Sequence, residues 1–174
     1  MSLYWYTAKR CYIENGEARL VSRNLKNLRF DSLVHALSAL PVRNAIIDGE
    51  IVCLDAHGVS RFNKLLSPKA KPVLYAFDLL WLDGQDLRRW PLISRKECLD
   101  ELLRSSPSER IIYAQHIEQH GKVFFREICA RDLEGIVAKR KQSIYKEDGA
   151  SWLKIKNPTY SQAEGRHEPL TRRR

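Results

Sequence analysis

The sequence predicts an α+β domain with mostly antiparallel sheets flanked by helices. Asn15-Gly16, the strongest short hairpin signal, separates two strand-like segments and predicts a hairpin over residues 11–22. Two apolar runs, Ile46–Leu54 and Val73–Leu82, are rich in β-branched and aromatic residues and end at turn residues, which is typical of central strands. Amphipathic segments fall between the strands without a regular βαβ repeat.

Hydrophobic spacing predicts the remaining elements of the domain. One helix follows Asp31, which we expect to cap it, and ends before Pro41. Ser94 is expected to cap a second helix, and residues 111–113 form a short strand. A third helix near residues 119–130 is expected to bury four side chains: Phe124, Phe125, Ile128 and Cys129.

Length and charge limit the organisation and the partners. A chain of 174 residues suits one domain with a real core, which we place at residues 1–158, followed by a polar, basic tail at 159–174. The net charge of +9 suits a polyanionic partner such as nucleic acid, although many soluble domains are simply basic.

Cysteine usage and hydropathy indicate a cytoplasmic protein without a membrane partner. The four cysteines are scattered and form no Cys-x-x-Cys pair, so a zinc site is not expected. No secretory segment opens the chain, and no apolar run reaches the roughly 20 residues that span a bilayer. We therefore expect reduced thiols in a cytoplasmic environment.

Two lysines near the end of the chain carry the first chemical signal. In an extended strand Lys154 and Lys156 project to one side, and Leu153 and Ile155 to the other. Two parallel ammonium groups can hold a phosphate. The alternative is an edge strand whose lysines discourage aggregation.

Carboxylates in apolar strands carry the second signal. Asp48 and Glu50 leave the same face of one strand, and buried like charges repel unless a cation joins them, which favours a magnesium ion. The alternative is a solvated strand end. Glu134 supplies a further oxygen ligand, and Gly135 would let a nucleotide approach the backbone. Phe77 is either core or a stacking surface for a nucleobase.

Five segments in order carry a resemblance to a known family: Ser22–Asn24, Asp48–Glu50, Tyr75–Leu80 with Asp83-Gly84, Glu134–Lys139, and Trp152–Lys156. The set resembles the adenylylation domain of ATP-dependent DNA ligases, in the branch that includes the ligase modules of bacterial end-joining enzymes. The resemblance implies an ATP-grasp-like nucleotidyltransferase fold around a nucleotide cleft. RNA ligases and capping-type enzymes share the motif order and are the nearest rivals.

The resemblance also implies roles for individual residues toward ATP. Phe77 would stack on adenine, and Glu50 would bind the ribose or metal region. Lys154 and Lys156 would bind the α-phosphate. Lys139 would line the same pocket, although alternation along one strand places it on the face opposite Glu134.

The same resemblance implies that ATP, magnesium and DNA are the ligands. Glu134 would bind the metal ion, with Asp48 as a second candidate ligand. Arg23 would contact a phosphate of the nicked strand. The expected partner is DNA with nicked or broken ends.

The chain departs from the family pattern at the nucleophile. The family forms lysine-AMP through a Lys-x-Asp-Gly motif ahead of the first hairpin, where this chain has Leu3 and Trp5-Tyr6. Lys9 is the only early lysine and is displaced, so we expect no nucleophilic lysine there. Leu25 replaces a family glycine and predicts an altered turn, and no segment after Trp152–Lys156 resembles the family's OB-fold domain.

Two hypotheses follow. The chain is a ligase-family domain for strand joining in DNA repair or recombination, whose competence depends on a separate chain or on upstream residues that supply the missing motif. Alternatively, it is a non-catalytic, degenerate ligase domain that binds nucleotide or DNA ends.

Overall fold

The computed structural model describes residues 8–22, 24–54, 65, 67, 71–147 and 152–161. The described residues form nine strands and three helices, in the following order: β1 Ala8–Glu14, β2 Glu17–Ser22, β3 Asn27–Leu28, α1 Asp31–Ser38, β4 Asn44–Cys53, β5 Pro72–Leu82, β6 Gln85–Asp86, α2 Leu92–Ser105, β7 Ile111–Tyr113, α3 Gly121–Ala130, β8 Gly135–Lys139 and β9 Trp152–Lys156. The predicted strands and helices are therefore present, and the α+β class is confirmed.

The larger sheet has seven strands in the order β3-β2-β1-β4-β5-β6, with β7 also paired to β5. Its pairs are antiparallel except for β5 with β7. Asn15 and Gly16 both have positive φ (53° and 81°), as the tight β1–β2 hairpin requires. The two predicted central strands, β4 and β5, lie side by side in the middle of this sheet.

The pairing of β4 with β5 is irregular at Phe77. Gly49 pairs with Ala76 but Asp48 pairs with Asp78, so Phe77 is an extra residue in β5 and forms a β-bulge. Simple alternation would place Tyr75 and Leu79 on one face, yet their β4 partners are Glu50 and Ile47, three positions apart. A bulge changes the direction of one side chain and often lies beside a functional site.

The hydrophobic core lies between this sheet and helices α1 and α2. Leu33 and Leu37 of α1 and Leu99 of α2 are fully buried against strand residues such as Ile47 and Leu79. Burial of each such side chain contributes about 1.5–3 kcal/mol. The core fixes the positions of β4 and β5, which carry the candidate site residues.

The helix starts differ from the predictions. α1 begins at Asp31 itself, with Phe30 in the cap position and no side-chain cap. Its first amide groups bond to the Phe30 carbonyl oxygen. Ser94 likewise lies inside the first turn of α2, which starts at Leu92.

The first turn of α2 is held by a different part of the chain. The amides of Leu92 and Ile93 donate to the carbonyl oxygens of Ser143 and Lys141, at 3.0 and 2.9 Å. These two carbonyl oxygens satisfy amide groups of the first helical turn, as a side-chain cap would. They belong to residues 140–147, which we call the 140–147 segment.

The third helix buries less than predicted. Ile128 is buried, but Phe124, Phe125 and Cys129 are only half-buried. α3 packs on β8 of the smaller sheet and has no second layer over its outer side among the described residues. The prediction of a helix here is therefore confirmed, whereas the prediction that it buries four side chains is wrong, because only one face of α3 has a packing partner among the described residues.

The smaller sheet consists of β8 and β9 in antiparallel register. Val137 pairs with Lys154, Lys139 with Trp152, and Gly135 with Lys156. Directly opposed residues share a face, so all three lysines lie on one face of this sheet. The residues after β9 fold back, because Ser161 donates to the carboxylate of Asp132 and Thr159 donates to Asn157.

The turn at Leu25 keeps the conformation that suits glycine. Leu25 has φ of 57° and its side chain is 80% exposed. Its amide donates to the Ser22 carbonyl oxygen at 2.9 Å, and the Ser22 amide donates to Lys26 at 2.9 Å. The turn is therefore formed with a residue that the left-handed region disfavours.

We predict that Leu25→Gly stabilises the protein relative to Leu25→Ala by about 1 kcal/mol, because only glycine adopts positive φ without a steric cost. Both substitutions remove the exposed leucine side chain, so their difference isolates the backbone effect. The measurement is the free energy of unfolding in urea. Equal stability of the two variants would show that the turn does not strain residue 25.

Candidate nucleotide site

A cavity of 530 Å³ opens between the two sheets. Phe77 of β5 and Val137 and Lys139 of β8 line it from the strands, and Leu92, Ile93 and Lys96 line it from α2. The β7–α3 loop, residues 114–120, closes the remaining side together with Gly121 at the start of α3. A volume of this size suits a small organic ligand with an apolar body.

Phe77, Lys139 and Trp152 form the contact between the two sheets. The rings of Phe77 and Trp152 meet edge to face, with centroids 6.1 Å apart and planes at 87°. Lys139 Nζ lies 4.2 Å from the Phe77 centroid and 3.8 Å from the Trp152 centroid. Phe77 is 8% exposed. It is thus both a core residue and a wall of the cavity, and its stacking on a nucleobase stays a prediction.

Two lysines in the cavity wall have lowered pKa values. Burial lowers the pKa of Lys139 to about 8, an effect that Asp78 opposes and Lys96 adds to. Burial also lowers the pKa of Lys96 to about 8, opposed by Asp78 and Asp100. Lys96 Nζ donates to the Ala114 carbonyl oxygen at 3.0 Å and lies 4.5 Å from the Tyr113 ring centroid. An anionic ligand would favour the charged form of both amines.

Lys154 and Lys156 are exposed and lie outside the cavity lining, on the same β-sheet face as Lys139. The register thus confirms that the two project together, as the alternation predicted. Glu134 immediately precedes β8, which begins at Gly135 with φ of 150°.

Gly135 has a structural explanation that differs from the predicted one. A Cβ there would lie 2.2 Å from the Ile155 carbonyl oxygen and 3.0 Å from Lys156 Cα. The space freed by the missing side chain is filled by the backbone of β9. The expectation that a nucleotide approaches through that space is therefore wrong, and the glycine is required for the close pairing of β8 and β9.

Asp48 is held by an arginine and a tyrosine. Arg10 Nε donates to Asp48 Oδ1 at 3.2 Å, and the Tyr145 hydroxyl donates to Asp48 Oδ2 at 2.9 Å. Arg10 Nη2 donates to the same hydroxyl at 2.8 Å, and Arg10 Nη1 lies 3.7 Å from Glu147. Burial raises the pKa of Asp48, and the Arg10 charge opposes that rise. The cation that the buried carboxylate needs is thus supplied by the protein.

Asp78, directly opposite Asp48 on the neighbouring strand, is held by α2. Arg95 Nε and Nη2 donate to its two oxygens at 2.7 and 2.8 Å, and both residues are almost fully buried. Arg95 Nη1 also donates to the carbonyl oxygens of Trp90 and Ser143. This bidentate pair joins β5, α2 and the 140–147 segment.

The described residues do not form a magnesium site made of protein ligands alone. Among them, no group of three or more histidines, cysteines or carboxylates is arranged to hold a metal ion. Both Asp48 oxygens are already engaged, so the repulsion argument for a metal at Asp48 and Glu50 loses its basis. Glu50 is 6% exposed and lies near the end of β4, opposite Tyr75 of β5 and Ala8 of β1.

The sequence reasoning missed several residues, and one predicted residue is not described. Arg23 lies outside the described residues. Arg10 and Tyr145 contact Asp48 across separations of 38 and 97 residues, and no local pattern signals such pairs. A Lys-x-Asp-Gly tetrapeptide does occur at Lys146–Gly149, far after the first hairpin, and Ala150-Ser151 rather than an arginine follows it. Lys146 is exposed, and residues 148–151 lie outside the described part.

Comparison with known proteins identifies the family. The model of the ATP dependent DNA ligase domain matches residues 8–156. This chain belongs to the ATP-dependent DNA ligase domain family. The multifunctional non-homologous end joining protein LigD of Pseudomonas aeruginosa is 30% identical over 152 residues, which cover 83% of this chain and 18% of that protein.

Solved structures of this DNA ligase family share the fold. The ligase domain of Mycobacterium tuberculosis LigD superposes with a TM-score of 0.75 at 25% identity, covering 90% of this chain and 53% of that one. A mycobacterial DNA ligase D complexed with ATP and MES gives a TM-score of 0.77 at 25% identity, with the same coverage of 90% and 53%. The ligase-domain chain thus spans about half of these structures and less than a fifth of the Pseudomonas protein.

Tyr145→Phe removes the hydroxyl that joins Asp48 and Arg10, and we predict that it lowers the free energy of unfolding by about 1–3 kcal/mol because a buried carboxylate oxygen loses its donor. Trypsin cleavage at Lys141 and Lys146 should become faster, since the 140–147 segment loses an anchor. Tyr113→Phe is the matched control, because the ring of Tyr113, rather than its hydroxyl, contacts Lys96. A Tyr145→Phe effect no larger than that of the control would contradict this role.

Lys139→Met tests the lowered pKa of Lys139. Between pH 8 and 10.5 the folded wild type has lost the Lys139 proton while the unfolded chain retains it. Wild-type stability therefore gains a contribution that increases with pH across this window. Met carries no charge to bury, so we compare the free energy of unfolding of Lys139→Met with that of wild type. We predict that the variant's value minus the wild-type value decreases from pH 8 to 10.5. Lys122→Met on α3 is the control. A difference in unfolding free energy between Lys139→Met and wild type that does not change with pH would contradict the prediction.

Proposed function

We propose that this chain binds ATP in the cleft between its two sheets as part of DNA strand joining. The observation that carries the proposal is the joint placement of Phe77, Lys139, Lys154 and Lys156, from β5 of one sheet and β8–β9 of the other, around one cavity and its rim. Because the chain belongs to the ATP-dependent DNA ligase domain family, we interpret this arrangement as an ATP site.

The nucleobase would occupy the cavity of 530 Å³, between Phe77 and Val137. Both side chains are largely buried and apolar, and they come from facing elements, so a flat aromatic base can contact both. Lys139 Nζ lies over the Phe77 ring and would move toward the phosphates when a base enters. The base is thus placed by apolar contacts and the anionic end by lysines.

The phosphates would leave the cavity along β9. Lys139 lies at the cavity, and Lys154 and Lys156 follow on the same sheet face. Successive same-face residues of a strand are about 7 Å apart, which matches an extended triphosphate. Glu50 would contact the ribose or the metal region, as the family resemblance implies.

Magnesium would enter bound to the ATP phosphates. This ion keeps several waters and needs one or two carboxylates beside phosphate oxygens, so the lack of a three-carboxylate cluster among the described residues is compatible with it. Glu134, beside Gly135 and its partner Lys156, is the carboxylate that fits. Asp48 fits poorly while Arg10 and Tyr145 hold it.

The proposed macromolecular substrate is DNA with nicked or broken ends, with Arg23 as a phosphate contact. The net charge of +9 and the exposed lysines of β9 support this proposal. In the described part of the chain no helix is long and apolar enough to cross a membrane. We place the protein in the cytoplasm, where DNA repair or recombination would use it.

The lysine that would form lysine-AMP is not supplied ahead of β1 in these 174 residues. We propose that joining requires another segment or a separate chain that contributes a nucleophile beside Glu50 and the start of β1. The second candidate function is a non-catalytic domain that holds nucleotide or DNA ends. The lack of a nucleophilic lysine ahead of β1 favours it, because the residues proposed to bind the base and the phosphates are present without that lysine.

The deciding experiment combines ATP binding with a search for a covalent adduct. We expect isothermal titration with ATP and magnesium to show binding, and Lys154→Ala with Lys156→Ala to weaken it about tenfold, in keeping with the loss of charge-assisted contacts. Lys122→Ala, an exposed lysine of α3, is the control. Absence of ATP binding by the wild type would overturn the proposal.

Incubation with α-labelled ATP then separates the two functions. We expect no labelled protein from the chain alone. A label lost in one of the variants Lys9→Ala, Lys139→Ala or Lys146→Ala would identify a nucleophile within the chain and favour a self-sufficient adenylylation domain. DNA binding that falls steeply with salt, without a label, would support the non-catalytic function.

A further inference from the structure

Exposed basic residues cluster where the 140–147 segment meets the part of the chain just ahead of α2. The Tyr145 amide donates to the Arg88 carbonyl oxygen at 2.8 Å, so the two parts are in direct contact. Five arginines and lysines of these parts are exposed: Arg88, Arg89, Arg140, Lys141 and Lys146. We call these five residues the basic surface.

The charge of the basic surface is only partly neutralised by the protein itself. Two of its members form ion pairs, Arg88 with Asp86 at 2.7 Å and Lys141 with Glu118 at 2.8 Å. Within the described part of the chain, Arg89, Arg140 and Lys146 enter no ion pair. Glu147 is the one carboxylate of the 140–147 segment, and it lies 3.7 Å from Arg10. The surface therefore keeps a net positive charge.

The opposite charge lies further along α2. Glu97 and Glu101 are exposed in the middle of this helix, whereas the basic surface lies at its start. A polyanion is attracted to the first turn of α2 and repelled further along. The positive charge is thus local to one part of the domain.

The backbone beneath the basic surface is fixed from two sides. The carbonyl oxygens of Lys141 and Ser143 accept from the first amides of α2, and the Tyr145 hydroxyl donates to Asp48 at 2.9 Å. A partner that binds here does not have to order this backbone, which lowers the entropic cost of binding.

The basic surface begins at the rim of the cavity. Lys141 lines the cavity of 530 Å³, and Arg140 lies between it and Lys139 at the end of β8. A chain of phosphates that runs along the basic surface would therefore pass beside the proposed nucleotide site.

We propose that the basic surface binds the phosphate backbone of DNA and holds the DNA beside the nucleotide cavity. This inference rests on the proposed function and deepens it, because it names the part of the domain on which the DNA lies. Arginine and lysine contacts to phosphates carry no sequence information, and they release counterions when they form. Binding at this surface therefore tolerates changes of base sequence and weakens steeply with salt.

The test is fluorescence anisotropy of a labelled, nicked DNA duplex titrated with the full chain at several salt concentrations. Arg140→Gln combined with Lys146→Gln removes two unpaired positive charges. We expect this double variant to reduce the slope of log affinity against log salt concentration by about 2, and to weaken binding roughly tenfold or more at about 100 mM salt. Arg89→Gln alone should reduce the slope by about 1.

The matched control is Arg126→Gln combined with Lys122→Gln, which also removes one arginine and one lysine from exposed positions, both on α3. It should keep the wild-type slope. Isothermal titration with ATP and magnesium should give wild-type affinity for the Arg140 and Lys146 double variant, because neither residue lines the cavity. Thermal unfolding of each variant checks that the fold is intact.

Three outcomes would overturn the inference. Equal salt slopes for the double variant and the matched control would show that the phosphates lie elsewhere. A loss of ATP binding that parallels the loss of DNA binding would show that the substitutions act through the nucleotide site or the fold. Failure of wild type to bind the duplex would overturn this inference together with the proposed DNA partner, whereas the first outcome leaves the proposed function standing.

Discussion

Two buried carboxylates on neighbouring strands determine much of the architecture around the cleft. Asp48 and Asp78 face each other across β4 and β5, and two like charges in that position are tolerated only with paired cations. Arg10 comes from β1 and Arg95 from α2, so each pairing also fixes an element of the fold. Removing one partner of such a buried pair typically costs about 3–5 kcal/mol, whereas the net worth of the pair is much smaller.

The 140–147 segment depends on the same two carboxylates. Tyr145 bonds to Asp48, and its ring lies 5.8 Å from the Arg95 guanidinium carbon. The carbonyl oxygens of Lys141 and Ser143 cap α2, which carries Arg95 and Lys96. One network therefore links β1, β4, β5, α2 and this segment. It holds Lys96 and Lys141 on one side of the cavity while the core holds Phe77 on the other.

The cavity combines apolar walls with groups whose preferred charge state depends on a ligand. Lys96 and Lys139 both have pKa values lowered to about 8 by burial, and they lie close to the Phe77 ring or its carbonyl oxygen. An unliganded site thus carries the cost of partly desolvated ammonium groups. A polyphosphate would offset that cost, which is the physical reason to connect this cavity with an anionic nucleotide.

Sequence alone determined the strands and which side chains share a strand face in β8 and β9, because a period of two and turn residues such as Asn15-Gly16 are local properties. It also indicated Phe77, Lys154 and Lys156, since charged or aromatic residues in ordered strand motifs are visible without coordinates. The tertiary structure decided the rest. A bulge redirected Phe77, β9 filled the space at Gly135, and Arg10 with Tyr145 took the place of a metal at Asp48. Each depends on register or on contacts between residues far apart in the chain, which local patterns do not contain.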